Sequence, residues 1–192
     1  MPNRGLWQGK LDMFCGLYCA TRIIACYAVA AKADDKTQPA VYEQAAERAF
    51  YHLLRSAEEL GWLTARKIAA PNVGGYTDLQ VERIFNNLPA RTRQGLQAIA
   101  FRRRAFQNLK NSERRALITD FNACAIIQED GGRHWITVEG LDRDGDYSCF
   151  DPELGDGADT QGRKSKRQRI LWDQGVLVGK SKVLARLNAQ TH

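Results

Sequence analysis

Asp12-Met-Phe-Cys-Gly-Leu-Tyr-Cys-Ala-Thr-Arg-Ile-Ile-Ala-Cys-Tyr-Ala-Val-Ala-Ala-Lys32 is the stretch on which the fold turns. Leu17, Ile24, Tyr27, Ala28 and Ala31 recur at helical spacing, and Arg22 is the only charge inside the run. Asp12 is placed to cap a helix over about 13–32. Cys15 then falls in the first turn, where unpaired backbone N–H groups and the helix dipole favour a thiolate. Gly16 beside it allows another segment to approach closely. The longest apolar run, Ile23 to Ala31, is nine residues, against about 20 for a bilayer crossing. It reads as a buried helix. Asp12 and the lack of a small-x-small site before Lys32 also argue against a signal peptide. The expectation is a mature chain that starts at Met1 and lies in the cytoplasm of its producer, with export only by a signal-independent route.

Outward from that helix, Pro39 suits a first helical position, and a second helix is predicted to Leu60 with Gly61 as its stop. Val41, Ala45, Ala49, Leu53, Ala57 and Leu60 form its expected inner stripe. Pro71 to Gly75 reads as a turn, and Thr77-x-x-Gln80 as a capping box for a short helix through Leu88. Residues 90–110 are ambiguous: Leu96 to Phe101 suits a strand or a helix, and Arg102 to Arg104 a solvated face. Ser112 starts another short helix ending near Phe121.

The character changes at Ala123. Ala123 to Ile127 is all apolar, as in a central strand. His134 to Glu139 and Tyr147 to Phe150 read as two strands joined by the Asp142–Asp146 turn. Ile170 to Trp172 and Gly175 to Val178 are expected as edge strands. The predicted class is α+β in a single domain: a nucleophile-helix region (1–33), a mostly helical elaboration (34–121) and an antiparallel sheet region (122–192).

A chain of 192 residues, 44% hydrophobic and 26% charged, is long and apolar enough to bury a core. The net charge of +6 is unevenly placed. From Arg163 onward there are eight basic residues and one acidic, leaving 20 basic and 21 acidic before it. The basic character therefore belongs to the C-terminal part and does not make the whole chain a nucleic-acid binder.

Five cysteines stand at 15, 19, 26, 124 and 149. The odd number speaks against a full disulfide framework. The absence of Cys-x-x-Cys spacing speaks against zinc, and no metal or cofactor is expected. Cys26, Cys124 and Cys149 read as small core residues. Cys15 and Cys19, one helical turn apart, fit disulfide geometry poorly.

Thiol catalysis needs a cysteine near a positive dipole, a histidine to exchange protons and a group to orient that histidine. Of three histidines, His192 is terminal and His52 lies inside the second helix. His134 opens a strand after Gly131-Gly132, where a ring faces a cleft most readily, and so is the candidate base.

Asp12-Met-Phe-Cys-Gly-Leu-Tyr-Cys19 with its apolar helix resembles the nucleophile helix of papain-like cysteine peptidases, closest to the bacterial branch that trims double-glycine leader peptides. His134-Trp-Ile-Thr-Val-Glu-Gly-Leu-Asp142 and Phe150-Asp-Pro152 resemble that branch's histidine strand and the Asp-Pro closing the next strand. The likeness covers about 5–32 and 120–156. It implies a papain-like fold with Cys15 as nucleophile, His134 as general base and acid, and Asp151 orienting the imidazole. It also implies Gln8 as oxyanion donor, with Gly16 and Trp135 lining the cleft. Gln8 stands seven residues before Cys15, where the family usually shows six. A two-residue Asp144-Gly145 turn would set Asp151 opposite Val138, about 13 Å along the strand from His134. Asn122, Asp142 and Asp144 are therefore alternatives for the orienting role. Residues 34–111 are not explained by the likeness.

Arg163, Lys164, Lys166, Arg167 and Arg169 put five positive charges into seven residues. This is either a solvated loop or a contact with an acidic partner or inhibitor protein. Nucleic acid is weakly supported, since only Trp172 offers a stacking ring nearby. The leading expectation is a cysteine hydrolase acting on a peptide or protein through an acyl-enzyme. The alternatives are a glutamine deamidase of the kind found among bacterial effector toxins, and a non-catalytic binding protein using the basic loop.

Overall fold

A computed structural model describes residues 14–32, 38–64, 75–119, 122–129, 134–141, 147–150, 152 and 175–189. The first helix, α1, runs Cys15–Lys32. It starts two residues later than predicted. The carbonyl of Phe14 accepts from the N–H groups of Leu17 at 2.7 Å and Tyr18 at 2.9 Å, so Phe14 holds the cap position, while the expected cap, Asp12, lies outside the described residues. Cys15 is the first residue inside the helix.

The second helix, α2, spans Gln38–Glu59. Gly61 takes φ +73° just beyond its end. This left-handed turn lets the Trp62 N–H reach back to the Ala57 carbonyl at 2.8 Å and closes the last turn. The buried stripe is Tyr42, Ala46, Ala49, Leu53, Ser56 and Ala57, so the inner face is rotated by one residue over the first half relative to the expected Val41 and Ala45. The third helix, α3, is Asp78–Asn86. Its capping box is formed as predicted: the Gln80 N–H donates to Thr77 Oγ1 at 3.3 Å, and the Thr77 N–H donates to Gln80 Oε1 at 3.0 Å.

The ambiguous middle resolves into a strand, β1 (Leu96–Ala100), followed by two short helices, α4 (Arg104–Gln107) and α5 (Asn111–Thr119). Then come β2 (Cys124–Glu129), β3 (His134–Leu141), β4 (Tyr147–Phe150), β5 (Gly175–Lys180) and a helix not predicted from sequence, α6 (Ser181–Ala189).

All pairings in the five-stranded sheet are antiparallel, in the order β1-β5-β2-β3-β4. Gly175 to Gly179 is buried on both faces and sits between β1 and β2. The expectation of an edge strand there is thus corrected. A run apolar at every position needs cover on both faces, which an interior strand receives. The strand predicted at Ile170 to Trp172 lies outside the described residues, as do Pro71 to Gly74 of the first predicted turn and the whole Asp142–Asp146 turn. The sheet is not confined to the C-terminal part either: β1 comes from the stretch expected to be a helical elaboration.

Two cores flank the sheet. On one face α1, α2 and α3 pack Leu17, Ile23, Leu53 and Phe85 against Ala98, Ile126, Trp135, Val176 and Val178. On the other face Phe106, Leu117, Ile118 and Leu184 cover Ile99, Ile127, Ile136, Val138 and Leu177. Each fully buried Leu, Ile or Phe contributes roughly 1.5–3 kcal/mol relative to exposure, so both layers matter for stability.

The β1 edge is closed by α3. The side-chain amide of Asn86 both donates to the Ala98 carbonyl at 2.8 Å and accepts from its N–H at 2.9 Å. Glu82 Oε2 accepts from the Ala100 N–H at 2.6 Å, which leaves little of the edge for another strand. Arg102 and Arg103 are correspondingly not a merely solvated face. Arg103 grips the buried Glu82 at 2.6 Å, and Arg102 reaches the buried Asp78 at 3.0 Å. Five cysteines are free thiols; Cys15, Cys19 and Cys149 are buried and Cys26 and Cys124 half-buried.

Candidate active site

Cys15 opens α1 and His134 opens β3, and α1 packs on β3 at the residues that follow these two, Gly16 and Trp135. Gly16 is the point of closest approach. A Cβ built there would lie 3.2 Å from Val81 Cγ2 and 3.7 Å from the Trp135 ring. One turn on, the Cys19 thiol donates to the Trp135 carbonyl at 3.4 Å. Further along, Arg22 binds Glu139 of β3 at 2.8 Å. Thus α1 lies along β3 from its first turn, on the face that carries Trp135 and Glu139. A side chain at 16 would press on Val81, while the Trp135 ring stands at ordinary contact distance.

Strand alternation assigns Ile136 and Val138 to the opposite face, where they join the second core. His134 continues that row at the strand's end, opposite Glu129 of β2. Cys15 is 5% exposed and His134 8%, so both stand in covered positions.

The β3–β4 register differs from that of a two-residue turn. Val138 pairs with Cys149 and Thr137 with Phe150, with an irregularity between Val138 and Gly140. The end of β4 therefore stands two positions nearer to His134 than expected. Asp151 itself lies outside the described residues, as do Gln8, Asp142, Asp144, and Arg163, Lys164, Lys166, Arg167 and Arg169. Pro152 is buried.

Asn122 is removed as an alternative orienting group. It precedes β2, at φ +51°, while His134 pairs with Glu129 at the other end of that strand. The separation is on the order of 20 Å along β2. The Asn122 carbonyl is instead held by the Tyr27 hydroxyl.

Sequence reasoning missed the ionic floor beneath this region. Arg22 donates to both Glu139 oxygens, at 2.8 and 3.3 Å, and to the Tyr42 hydroxyl at 3.4 Å. Its guanidinium also lies 4.9 Å from the Phe150 ring centre. A lone arginine in an apolar helix was the available signal, because such a charge needs a partner when buried. Around it burial pushes the Cys26 thiol up to about 12 and raises the Tyr42 phenol, with Arg22 opposing both shifts. Cys124 is driven up by burial as well. These two thiols are held protonated at neutral pH and do not compete as nucleophiles.

Among the described residues no group of His, Cys, Asp and Glu could hold a metal ion, and no helix is long and apolar enough to cross a membrane. Compared with known protein families, with curated proteins and with solved structures, the chain matches none.

Proposed function

We propose that the chain is a papain-like cysteine hydrolase whose preferred reaction is cleavage of a peptide amide. The observation that supports the proposal is where the two candidates stand in the fold: Cys15 is the first residue of α1, and His134 is the first residue of β3, on which α1 packs at the neighbouring Gly16 and Trp135. Position one of a helix exposes a thiolate to unpaired N–H groups and the positive end of the dipole.

In the proposed reaction the Cys15 sulfur attacks the amide carbon and a C–S bond forms. The oxyanion is held by the Cys15 N–H and the Gln8 amide. His134, oriented by Asp151, delivers the thiol's proton to the leaving nitrogen as the C–N bond breaks. Water, deprotonated by His134, then adds to the thioester, and the acid leaves with regeneration of the thiol. The same parts hydrolyse a glutamine side-chain amide, and substrate profiling against peptide and glutamine amides separates the two outcomes.

Site-resolved alkylation tests the thiol chemistry. Intact protein is treated with iodoacetamide from about pH 5 to about pH 9, spanning the ordinary histidine and thiol ranges, and each cysteine is quantified by peptide mass spectrometry. Burial of Cys15 lowers its rate at every pH equally, so the shape of the profile decides. A paired thiol keeps its reactivity below neutral pH and loses it in His134→Ala. A Cys15 profile that rises only with ordinary thiol ionisation, unchanged by His134→Ala, overturns the proposal.

A further inference from the structure

On the same face of the sheet as α1, but well along the helix from Cys15, lies a cleft of about 630 Å³. Ile24 and Ala28 of α1 and Ala49 of α2 make its floor, all three buried. Its rim carries Arg48 and His52 of α2 and Arg91 of the turn that leads into β1. Ile24 is nine residues from Cys15, about 14 Å along a helix axis, so the cleft is separate from the candidate active site.

The charges of the rim are unbalanced. Among the described residues no carboxylate lines the cleft, and neither Arg48 nor Arg91 forms an ion pair. Of the other arginines on this side of the sheet, Arg22 and Arg55 have carboxylate partners and Arg93 folds back onto the Leu88 and Leu96 carbonyls, while Arg83 on α3 is, like the rim pair, without an ion pair among the described residues. Lys180 adds a further cation close by, since its Nζ donates to the carbonyl of Gln94, a cleft residue, at 3.1 Å. Arg48 and His52 are one helical turn apart and so stand on one face of α2. Cations set around a partly dehydrated apolar floor repel one another, and an anion seated among them removes that repulsion.

We infer that this cleft binds a small organic anion: an apolar body on the Ile24–Ala28–Ala49 floor and a phosphate or carboxylate head held by Arg48, Arg91 and His52. Guanidinium forks suit either head by paired N–H donation. The volume is within the range of small-molecule sites, and an apolar base with a few polar groups at one side is their usual make-up.

The test is titration of the full-length chain, followed by backbone amide NMR. The probes are phenyl phosphate, benzoate, inorganic phosphate and benzyl alcohol. Saturable shifts confined to amides of α1, α2 and residues 89–95 are expected with phenyl phosphate or benzoate, and the tighter of the two identifies the head. Inorganic phosphate and benzyl alcohol should each bind at least roughly tenfold more weakly, as each lacks one half of the recognition. The Arg48→Ala/Arg91→Ala variant should lose binding by a similar factor. Both residues are exposed, so the variant should fold, which circular dichroism checks. Arg115→Ala, an exposed change on α5, should bind as the parent does. No saturable shift with either organic anion, equal binding by the double variant, or equal binding of benzyl alcohol overturns the inference.

Discussion

Arg22 on α1 and Glu139 on β3 form a two-point ion pair at 2.8 and 3.3 Å, with side chains only 11% and 22% exposed. It is the ionic tie between the helix that begins with Cys15 and the strand that begins with His134. Glu139 also stands where the β3–β4 register becomes irregular, between Val138 and Gly140. The pair therefore fixes where along β3 the helix sits, a matter that apolar packing alone leaves loosely specified.

Removing one partner should cost more than removing both. Arg22→Met leaves a poorly hydrated carboxylate, and a loss of about 2–4 kcal/mol is expected. Glu139→Leu strands the guanidinium with a similar loss. The double variant should recover more than half of the summed deficit, because it leaves no unpaired charge. Urea unfolding of the four proteins gives the coupling directly. Strict additivity of the two losses would show that the pair is screened by water and does not set the position of α1.

Gly175→Ala should be among the most damaging single-methyl changes in the chain. A Cβ at this position would lie 2.6 Å from Phe101 Cε2 and 2.7 Å from the carbonyl oxygen of Ile126. The ring stacks on Phe106 at 4.5 Å, and the carbonyl belongs to the central strand β2, so neither yields without moving a core. A destabilisation of about 3 kcal/mol or more is expected from this overpacking. Phe101→Ala should not rescue it, since the backbone oxygen remains. Recovery in the double variant would mean that the ring alone sets the limit.

Stability should fall on the alkaline side, and Cys26 should contribute to the fall. Burial raises its thiol from 9.0 to about 12 in the folded chain. Between those values the folded state holds a proton that the unfolded state has released, so unfolding is favoured as pH rises. The contribution is intact below about pH 9 and is lost progressively up to about pH 12, with a slope of at most about 1.4 kcal/mol per pH unit. Cys26→Ala should flatten that limb in denaturant titrations at pH values from about 8 to 11. An unchanged slope would assign the alkaline loss to the other raised groups, Cys124, Tyr27, Tyr42 and Tyr76.

What could be read in the sequence follows the range of the interactions. The α1 helix, the Thr77 capping box and the strands at Cys124 and His134 are written in local spacing, and each formed with bounds close to those expected. The α1 start was expected two residues too early because Asp12 is a better capping side chain than Phe14. The interior place of β5 was not legible: Gly175-Val-Leu-Val178 says that both faces are covered but not which strands lie beside it. Arg102 and Arg103 looked solvated because their partners, Asp78 and Glu82, lie more than twenty residues away. Cys15 and His134 stand out in the sequence as candidates, whereas the contact between their elements rests on Gly16 and Trp135, a pair far apart in sequence. The cationic cleft needs three separate segments and leaves no local signature at all.

Gly16 should prove intolerant of even one methyl group, although alanine is by itself the better helix former. In an exposed helix the exchange would gain about 0.5–1 kcal/mol. Here the new Cβ meets Val81 Cγ2 at 3.2 Å, and Val81 is fully buried, so its methyl cannot swing into open space. The expected net effect of Gly16→Ala is a loss of about 1 kcal/mol, the overpacking outweighing the helix propensity. Val81→Ala supplies the room. In that background Gly16→Ala should become neutral or stabilising, a change of sign that a purely local effect cannot produce. A thermal and urea double-mutant cycle reads it. If Gly16→Ala stabilises the otherwise unaltered chain, the close seating of α1 between Val81 and Trp135 is not what requires glycine after Cys15.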